Sequence, residues 1–263
     1  MGKCSLTVAL PVISAMGTEA CVIPTAVLSN HTAFDNFYFR DLTDEIEPVA
    51  RAWKEQGQEF ACIYTGYLGS RRQLDIVSDF IDDFGDGAIV FIDPVMGDFG
   101  KLYSGFDEAF AARMAELCSK ADVIVPNVTE ACYLLGEPFH PVTDEEEIKD
   151  MLRRLCALGA KTAILTGVVP REGMMGAVMY DSGSGRFFSH FAPRVNKTFH
   201  GTGDVFASTC VGALCRGMSL EYSLALAVDF TAECARVTLE DEGARWYGVN
   251  FESAIPWLCE RLK

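Results

Sequence analysis

The chain has 263 residues, 49% of them hydrophobic and 22% charged, the balance of a globular protein long enough to bury a large core. Its formal charge of −15 at pH 7 argues against binding nucleic acid or an anionic membrane by general electrostatics. A polyanionic small substrate stays open, because local donors and a divalent cation can override net charge. No apolar run reaches the length of a membrane span and no charged-then-apolar leader opens the sequence. The ten cysteines stand singly, without a C-x-x-C pair, which favours buried thiols in a reducing cytosol over zinc or disulfides.

In chain order, Met1 to Met16 predicts a helix with Leu6, Ala9, Leu10 and Ile13 on one stripe and Gly17 as its stop. Cys21 to Leu28 predicts a strand that Pro24 would confine to an edge or bulge, followed by the polar loop Ser29-Asn-His-Thr32. Leu42 to Gln56 predicts a helix capped by Thr43. Phe60 to Thr65 reads as a buried strand, and Ser70 opens a helix to about Phe84. Ala88 to Asp93 is a continuous apolar strand of the kind a doubly covered parallel sheet uses. A loop to Gly105, a helix to Lys120 and a strand from Asp122 to Val125 follow. Thr129 and Thr143 are expected to cap the next two helices, the second running from Asp144 to Leu158 behind an acidic first turn. Lys161 to Thr166 is a further strand. Met175–Tyr180 and Arg186–Phe191, joined by Asp181-Ser-Gly-Ser-Gly185, form a hairpin. Helices over Gly203–Arg216, Leu220–Leu239 and Phe251–Leu262 finish the chain.

This order predicts an α/β fold: a mainly parallel central sheet flanked by helices on both faces, with an antiparallel hairpin at one edge. No repeat or linker interrupts it, so a single domain over residues 1–263 is expected.

Ligands of such sheets sit at the carboxyl ends of the strands, and here those ends carry a coherent polar set. Gly201-Thr202-Gly203-Asp204 joins a polar loop to an apolar helix. Its glycines let main-chain amides converge, and the helix adds free donors and a positive dipole end, which suits an anion such as a phosphoryl group. Asp204 would then activate a nucleophilic hydroxyl as general base; the alternative is a plain helix cap. Asp93 and Asp98, on one loop after a central strand, could hold Mg²⁺ directly or through its waters, or simply end the strand. Asn127 and Glu130, three residues apart, share the first-turn face of a helix and could order a hydrated metal or cap the helix. His31 and Thr32 could recognise a small polar substrate, and Lys197 and His200 could reach phosphates. Arg71-Arg72 read as solvated. P-loop, dinucleotide and serine or cysteine nucleophile signatures are absent.

Three segments, taken in order, carry a resemblance: Asp93-Pro-Val-Met-Gly-Asp98 with Gly100-Lys-Leu-Tyr103, Pro126-Asn-Val-Thr-Glu-Ala131, and Gly201-Thr-Gly-Asp204. Together they resemble the ribokinase-like superfamily. Leu28-Ser-Asn-His-Thr32 and Tyr64-Thr-Gly-Tyr67 narrow the resemblance to its pyridoxal (pyridoxine, pyridoxamine) kinase branch. It implies ATP-dependent phosphorylation of the 5′-hydroxymethyl group of vitamin B6, with Mg²⁺ and often a monovalent cation such as K⁺. By it, Asp204 is the general base and Gly201, Thr202 and Gly203 form the anion hole. Asp93, Asn127 and Glu130 serve the Mg–ATP end, Asp93 and Glu130 meeting the metal largely through water. Asp98, Thr166 and Gly167 lie near the nucleotide phosphates. His31, Thr32 and Tyr67 line the pyridine pocket, and Tyr103 lies on a covering loop. Members are cytoplasmic homodimers acting on small molecules, without nucleic acid or membrane partners. A hydroxymethylpyrimidine or sugar kinase is the neighbouring alternative.

The family opens with a strand and a polar, glycine-containing loop that adds a serine or similar group to the substrate pocket. Here Met1-Gly2 runs into Lys3-Cys-Ser-Leu6, which resembles the start of the helix after that loop. The first strand is therefore expected to be missing from this sequence, a mis-called start being the favoured reason; if the shortening is real, one pocket wall goes with it. That keeps a further class open, a catalytically silent protein that binds nucleotide or pyridoxal.

Overall fold

The computed structural model describes residues 1–262. In chain order the elements are α1 (Leu6–Ala15), β1 (Ala26–Leu28), β2 (Phe39–Asp41), α2 (Thr43–Glu55), β3 (Cys62–Thr65), α3 (Arg71–Phe84) and β4 (Ile89–Ile92). Next come β5 (Gly97–Asp98), β6 (Lys101–Leu102), α4 (Glu108–Cys118), β7 (Val123–Ile124), α5 (Val128–Leu134) and α6 (Glu145–Ala157). The chain ends with β8 (Thr162–Val168), β9 (Met174–Asp181), β10 (Arg186–Pro193), α7 (Thr202–Cys215), α8 (Leu220–Glu240) and α9 (Phe251–Glu260).

The main sheet has the order β10-β9-β8-β7-β4-β3. β3, β4, β7 and β8 pair in parallel, and β9 turns back antiparallel on β8. The α/β expectation, hairpin edge included, is borne out. Central strands are short and apolar because both faces are covered: Phe91, Ile92, Ile124 and Ile164 are wholly buried.

Cα packing divides the chain into two compact units. One comprises residues 1–40, 171–175 and 190 onwards; the other comprises residues 41–170 and 176–189. In the first, α7 packs against α8 and α1, and α9 against α8. Val12, Met16, Val205, Phe230, Cys234 and Leu258 lie in its core. Gly212 on α7 lies close against Met16, whose sulfur would have to move to admit a Cβ there. The second unit carries the parallel strands with α2 to α6, its helices presenting Leu74, Met114, Leu152 and Leu155 inward.

Several predicted boundaries move, each for a local reason. The helix expected from Met1 starts only at Leu6, and the strand expected from Cys21 keeps only Ala26–Leu28, beyond Pro24. β2 escaped the sequence reading because all three of its residues are exposed, leaving no alternation to detect. The expected caps are also displaced. Leu42 and Asp144 occupy the N-cap positions where Thr43 and Thr143 were expected, and of the two candidates at α5 it is Asn127, not Thr129, that caps. Thr43 instead accepts a hydrogen bond from buried Gln73 (2.9 Å), and Asp144 accepts from the Glu146 and Glu147 amides. β8 runs on past Thr166 through Gly167, which takes φ 72° at an irregularity in the β8–β9 register. Among the described residues no cysteine is in a disulfide. Among the described residues no helix is long and apolar enough to cross a membrane.

Candidate active site

In the first unit the site is built around the N-terminus of α7. Gly201 is its N-cap in the left-handed region, with φ 83°, and a Cβ there would collide with the Lys3 carbonyl. Only glycine suits both demands. Asp204 occupies the third helical position. Its carboxylate accepts hydrogen bonds from the Ser5 amide and from its own N–H, yet burial outweighs these and pushes its pKa up to about 6. Ser5 caps α1 with backbone alone, at φ 51°. A left-handed serine is uncommon, and here that backbone supplies an amide to Asp204. The Cys4 thiol lies in the same field, pushed up to about 12 by burial and by Asp204. Thr202 Oγ1 donates to the Phe199 carbonyl (3.4 Å), while Gly203 is exposed with open space where a Cβ would stand.

Lys3 is held between two glycines, its carbonyl against Gly201 and its Cβ where a side chain on Gly248 would be. Its ammonium donates to Asn250 Oδ1 (2.7 Å) and Glu252 Oε2 (2.8 Å). His31 stacks on His200 at 4.4 Å between ring centroids, tilted 41°. Burial and then His200 lower the His31 pKa. The His31 Nδ1 accepts from the Ala33 amide (3.1 Å), so its neutral form carries the proton on Nε2. Thr32 is exposed. Lys197 lies over the Phe199 ring at 5.2 Å, a cation–π contact.

In the second unit Asn127 and Glu130 form a capping box at the head of α5. Asn127 Oδ1 accepts from the Glu130 amide (3.0 Å), and Glu130 Oε2 accepts from the Asn127 amide (2.9 Å). Glu130 Oε1 also accepts from Met96 N–H (3.2 Å), and Asn127 Nδ2 donates to the Gly97 carbonyl (2.9 Å). Thr129 Oγ1 accepts from Gly100 N–H (2.9 Å). The cap thus reaches out and fastens the small β5–β6 hairpin that carries Asp98. Burial pushes the Glu130 carboxyl well above the usual carboxylate range, and nearby Asp98 adds to it, against hydrogen bonds from the amides of Asn127, Met96 and Gly97. Asp93 is buried at the end of β4, and burial, then Glu130 and Asp93, raise the pKa of the Cys118 thiol. One neighbourhood therefore holds several acidic groups.

Thr166 N–H donates to the Pro126 carbonyl (2.9 Å), and Thr166 bridges Asn127 in parallel. This brings Thr166 and Gly167 to the head of α5. Tyr67 packs on Phe106 (5.8 Å), and burial, then Asp41, raise its phenol pKa. Tyr103 is largely exposed. Arg72 pairs with Asp44 in solvent (2.7 Å), as expected for Arg71-Arg72. Ser5, Cys4 and Thr129 took no part in the sequence reading of the site. No sequence signal marks Ser5, because tertiary packing sets its φ.

A parallel sheet in which crossover helices lead from β3 to β4, β4 to β7 and β7 to β8, and an acid in the first turn of a helix behind a left-handed glycine, fit one class: a ribokinase-like α/β kinase fold. The family model for phosphomethylpyrimidine kinase matches residues 9–245, and the chain belongs to that family. A candidate phosphomethylpyrimidine kinase of Bacteroides thetaiotaomicron VPI-5482, solved with pyridoxal, is 42% identical, with a TM-score of 0.93 over 98% of this chain and 91% of that one. Pyridoxal kinase of Lactobacillus plantarum is 30% identical, with a TM-score of 0.90 over 99% and 93%. A candidate pyridoxal kinase of Caenorhabditis elegans is 33% identical over 57% of this chain and 47% of its own length; the match spans about half of that relative. The resemblance to pyridoxal kinases read from the motifs is borne out.

Proposed function

We propose that this chain transfers the γ-phosphoryl group of ATP to the 5′-hydroxymethyl group of pyridoxal, pyridoxine or pyridoxamine. The observation that carries the reading is Asp204: a carboxylate in the first turn of α7, with a pKa near 6, beside glycine amides suited to an anion. Such a group is mostly ionised at neutral pH yet basic enough to take a proton from an alcohol. The pyridoxal-bound relative at 42% identity supports the choice of acceptor.

In this reading Asp204 accepts the hydroxyl proton as the oxygen attacks. The amides of Gly201, Thr202 and Gly203 receive the charge that develops on the phosphoryl oxygens. His31, Thr32 and Tyr67 orient the pyridine ring, and Tyr103 covers the site. Asp98, Thr166 and Gly167 serve the nucleotide phosphates. We propose that these groups serve one kinase domain, the single domain expected over residues 1–263.

The acidic neighbourhood of Asp93 and Glu130 suits Mg²⁺, whose preferred donors are oxygens. Among the described residues no three His, Cys, Asp or Glu side chains are arranged to hold a metal alone. Contact through water is therefore the role assigned to Asp93 and Glu130, Asn127 serving the same end. Mg²⁺ would offset negative charge on the β- and γ-phosphates. Stimulation by K⁺ and a cytoplasmic homodimer belong to the same reading.

A hydroxymethylpyrimidine/phosphomethylpyrimidine kinase of Haemophilus influenzae, 30% identical over 70% of this chain, favours a second acceptor, a hydroxymethylpyrimidine. Steady-state kinetics with ATP and a panel of pyridoxal, pyridoxine, pyridoxamine, hydroxymethylpyrimidine and ribose separate the two. The highest kcat/KM is expected for a vitamin B6 vitamer; preference for the pyrimidine would replace the acceptor. Binding of ATP and pyridoxal without ADP formation would make the chain a binding protein.

A further inference from the structure

Two loops of the first unit are braced from within. In residues 29–38, Ser29 N–H donates to the Tyr38 carbonyl (3.0 Å), Tyr38 N–H to Ser29 Oγ (2.8 Å), and Asn30 Nδ2 to the Asn36 carbonyl (2.9 Å). In residues 241–250, Asp241 accepts from Gly243 N–H and from Asn250 Nδ2 (both 2.8 Å). Asn250 N–H donates to Thr238 Oγ1 (2.8 Å).

Aromatic rings join the two loops. Phe34 meets Trp246 at 4.6 Å and Tyr247 at 5.7 Å between centroids, and Trp246 packs edge-on to Tyr247 at 5.9 Å. Trp246 is 55% exposed, so burial alone does not account for a tryptophan there. The chain runs from this cluster to the site in both directions. Three residues before Phe34 stands His31, whose carbonyl accepts from Phe34 N–H (3.1 Å). Three residues after Trp246 stands Val249, whose N–H donates to the His200 carbonyl (3.2 Å). His31 and His200 stack on each other, and His200 precedes the Gly201 turn.

We propose that Phe34, Trp246 and Tyr247 form an aromatic clasp that positions His31 against His200 and so sets acceptor affinity. The proposal rests on the kinase reading above. Because each loop is stiff, a ring contact at the far end fixes the imidazole at the near end. These three are positioning residues, and the clasp acts on acceptor binding rather than on proton transfer or ATP.

The test is steady-state kinetics of the full chain with ATP and pyridoxal. Trp246→Ala and Phe34→Ala should each raise the pyridoxal KM about three- to tenfold, the worth of one aromatic pair, while kcat and the ATP KM stay within about twofold. The double variant should do no more harm than Phe34→Ala alone, since Phe34 makes both ring contacts across the loops. Trp246→Phe, which keeps a ring, should stay near wild type. Hydrogen exchange over residues 29–38 should quicken in Trp246→Ala without any ligand. An unchanged pyridoxal KM, or kcat and both KM values worsening together, would overturn the clasp. If the wild-type chain does not phosphorylate pyridoxal, the kinase reading fails instead. Exchange then decides the clasp: faster exchange over residues 29–38 upholds it, and unchanged exchange overturns it.

Discussion

Asp204 and Glu130 occupy the same place in their helices, three residues after the N-cap, and burial raises both carboxyl groups. Their surroundings differ in what the carboxylate is used for. Glu130 accepts from the amides of Asn127, Met96 and Gly97, and its helix has a side-chain cap. Asp204 follows a glycine N-cap with no side chain to cap with, and accepts from the Ser5 amide and its own. The first arrangement spends its acceptors on holding a hairpin. The second leaves acceptor capacity on a carboxylate whose pKa lies within reach of neutral pH. The same helix position thus yields an anchor in one region and, in the proposed reading, a proton acceptor in the other.

The contrast is broken most strongly at Asp204. Asp204→Asn should lower kcat by about 10²–10⁴-fold, the range for losing a general base, with ATP binding retained in calorimetry. The same change should stabilise the protein. A carboxyl whose folded pKa is raised binds more protons folded than unfolded, so its contribution to stability is lost as pH rises through the window from about 4 to about 6. Removing the charge at pH 7.5 should therefore raise Tm by a few degrees in a thermal melt.

Glu130→Ala should move stability the other way. It strips three buried or half-buried amides of their acceptor, at a cost of about 2–4 kcal/mol by urea titration, and exchange over residues 96–102 should quicken. Gly201→Ala comes next. The left-handed φ and the Lys3 carbonyl should together cost about 1–3 kcal/mol, with kcat falling as the turn is displaced. Asn127→Ala should cost about 1 kcal/mol as a lost cap, with the smallest effect on activity of the four.

Much of this contrast is legible in the sequence, and the rest is not for identifiable reasons. The buried strands announce themselves by continuous apolar runs, as Ala88 to Asp93 does around β4. The hairpin is marked by its glycine-rich turn. Asn127 with Glu130 and Gly201 with Asp204 are both visible as first-turn acids, but spacing alone cannot tell an anchor from a base. That distinction comes from Met96 and Ser5, one distant in sequence from its acid and the other held at φ 51° by packing. The displaced caps have a related origin. Thr43 and Thr129 were competent cap residues whose hydroxyls are engaged elsewhere, by Gln73 and by Gly100. Trp246 gave no signal, since its partner Phe34 lies some two hundred residues away along the chain.

The account turns on Asp204 as the proton acceptor, and the pH dependence of kcat at saturating ATP and pyridoxal tests it most directly. Turnover should rise tenfold per pH unit on the acid side, bend at about pH 6 and then level off, and the residual activity of Asp204→Asn should lack that limb. An acid limb that bends near pH 4, or one that persists unchanged in Asp204→Asn, would contradict the account.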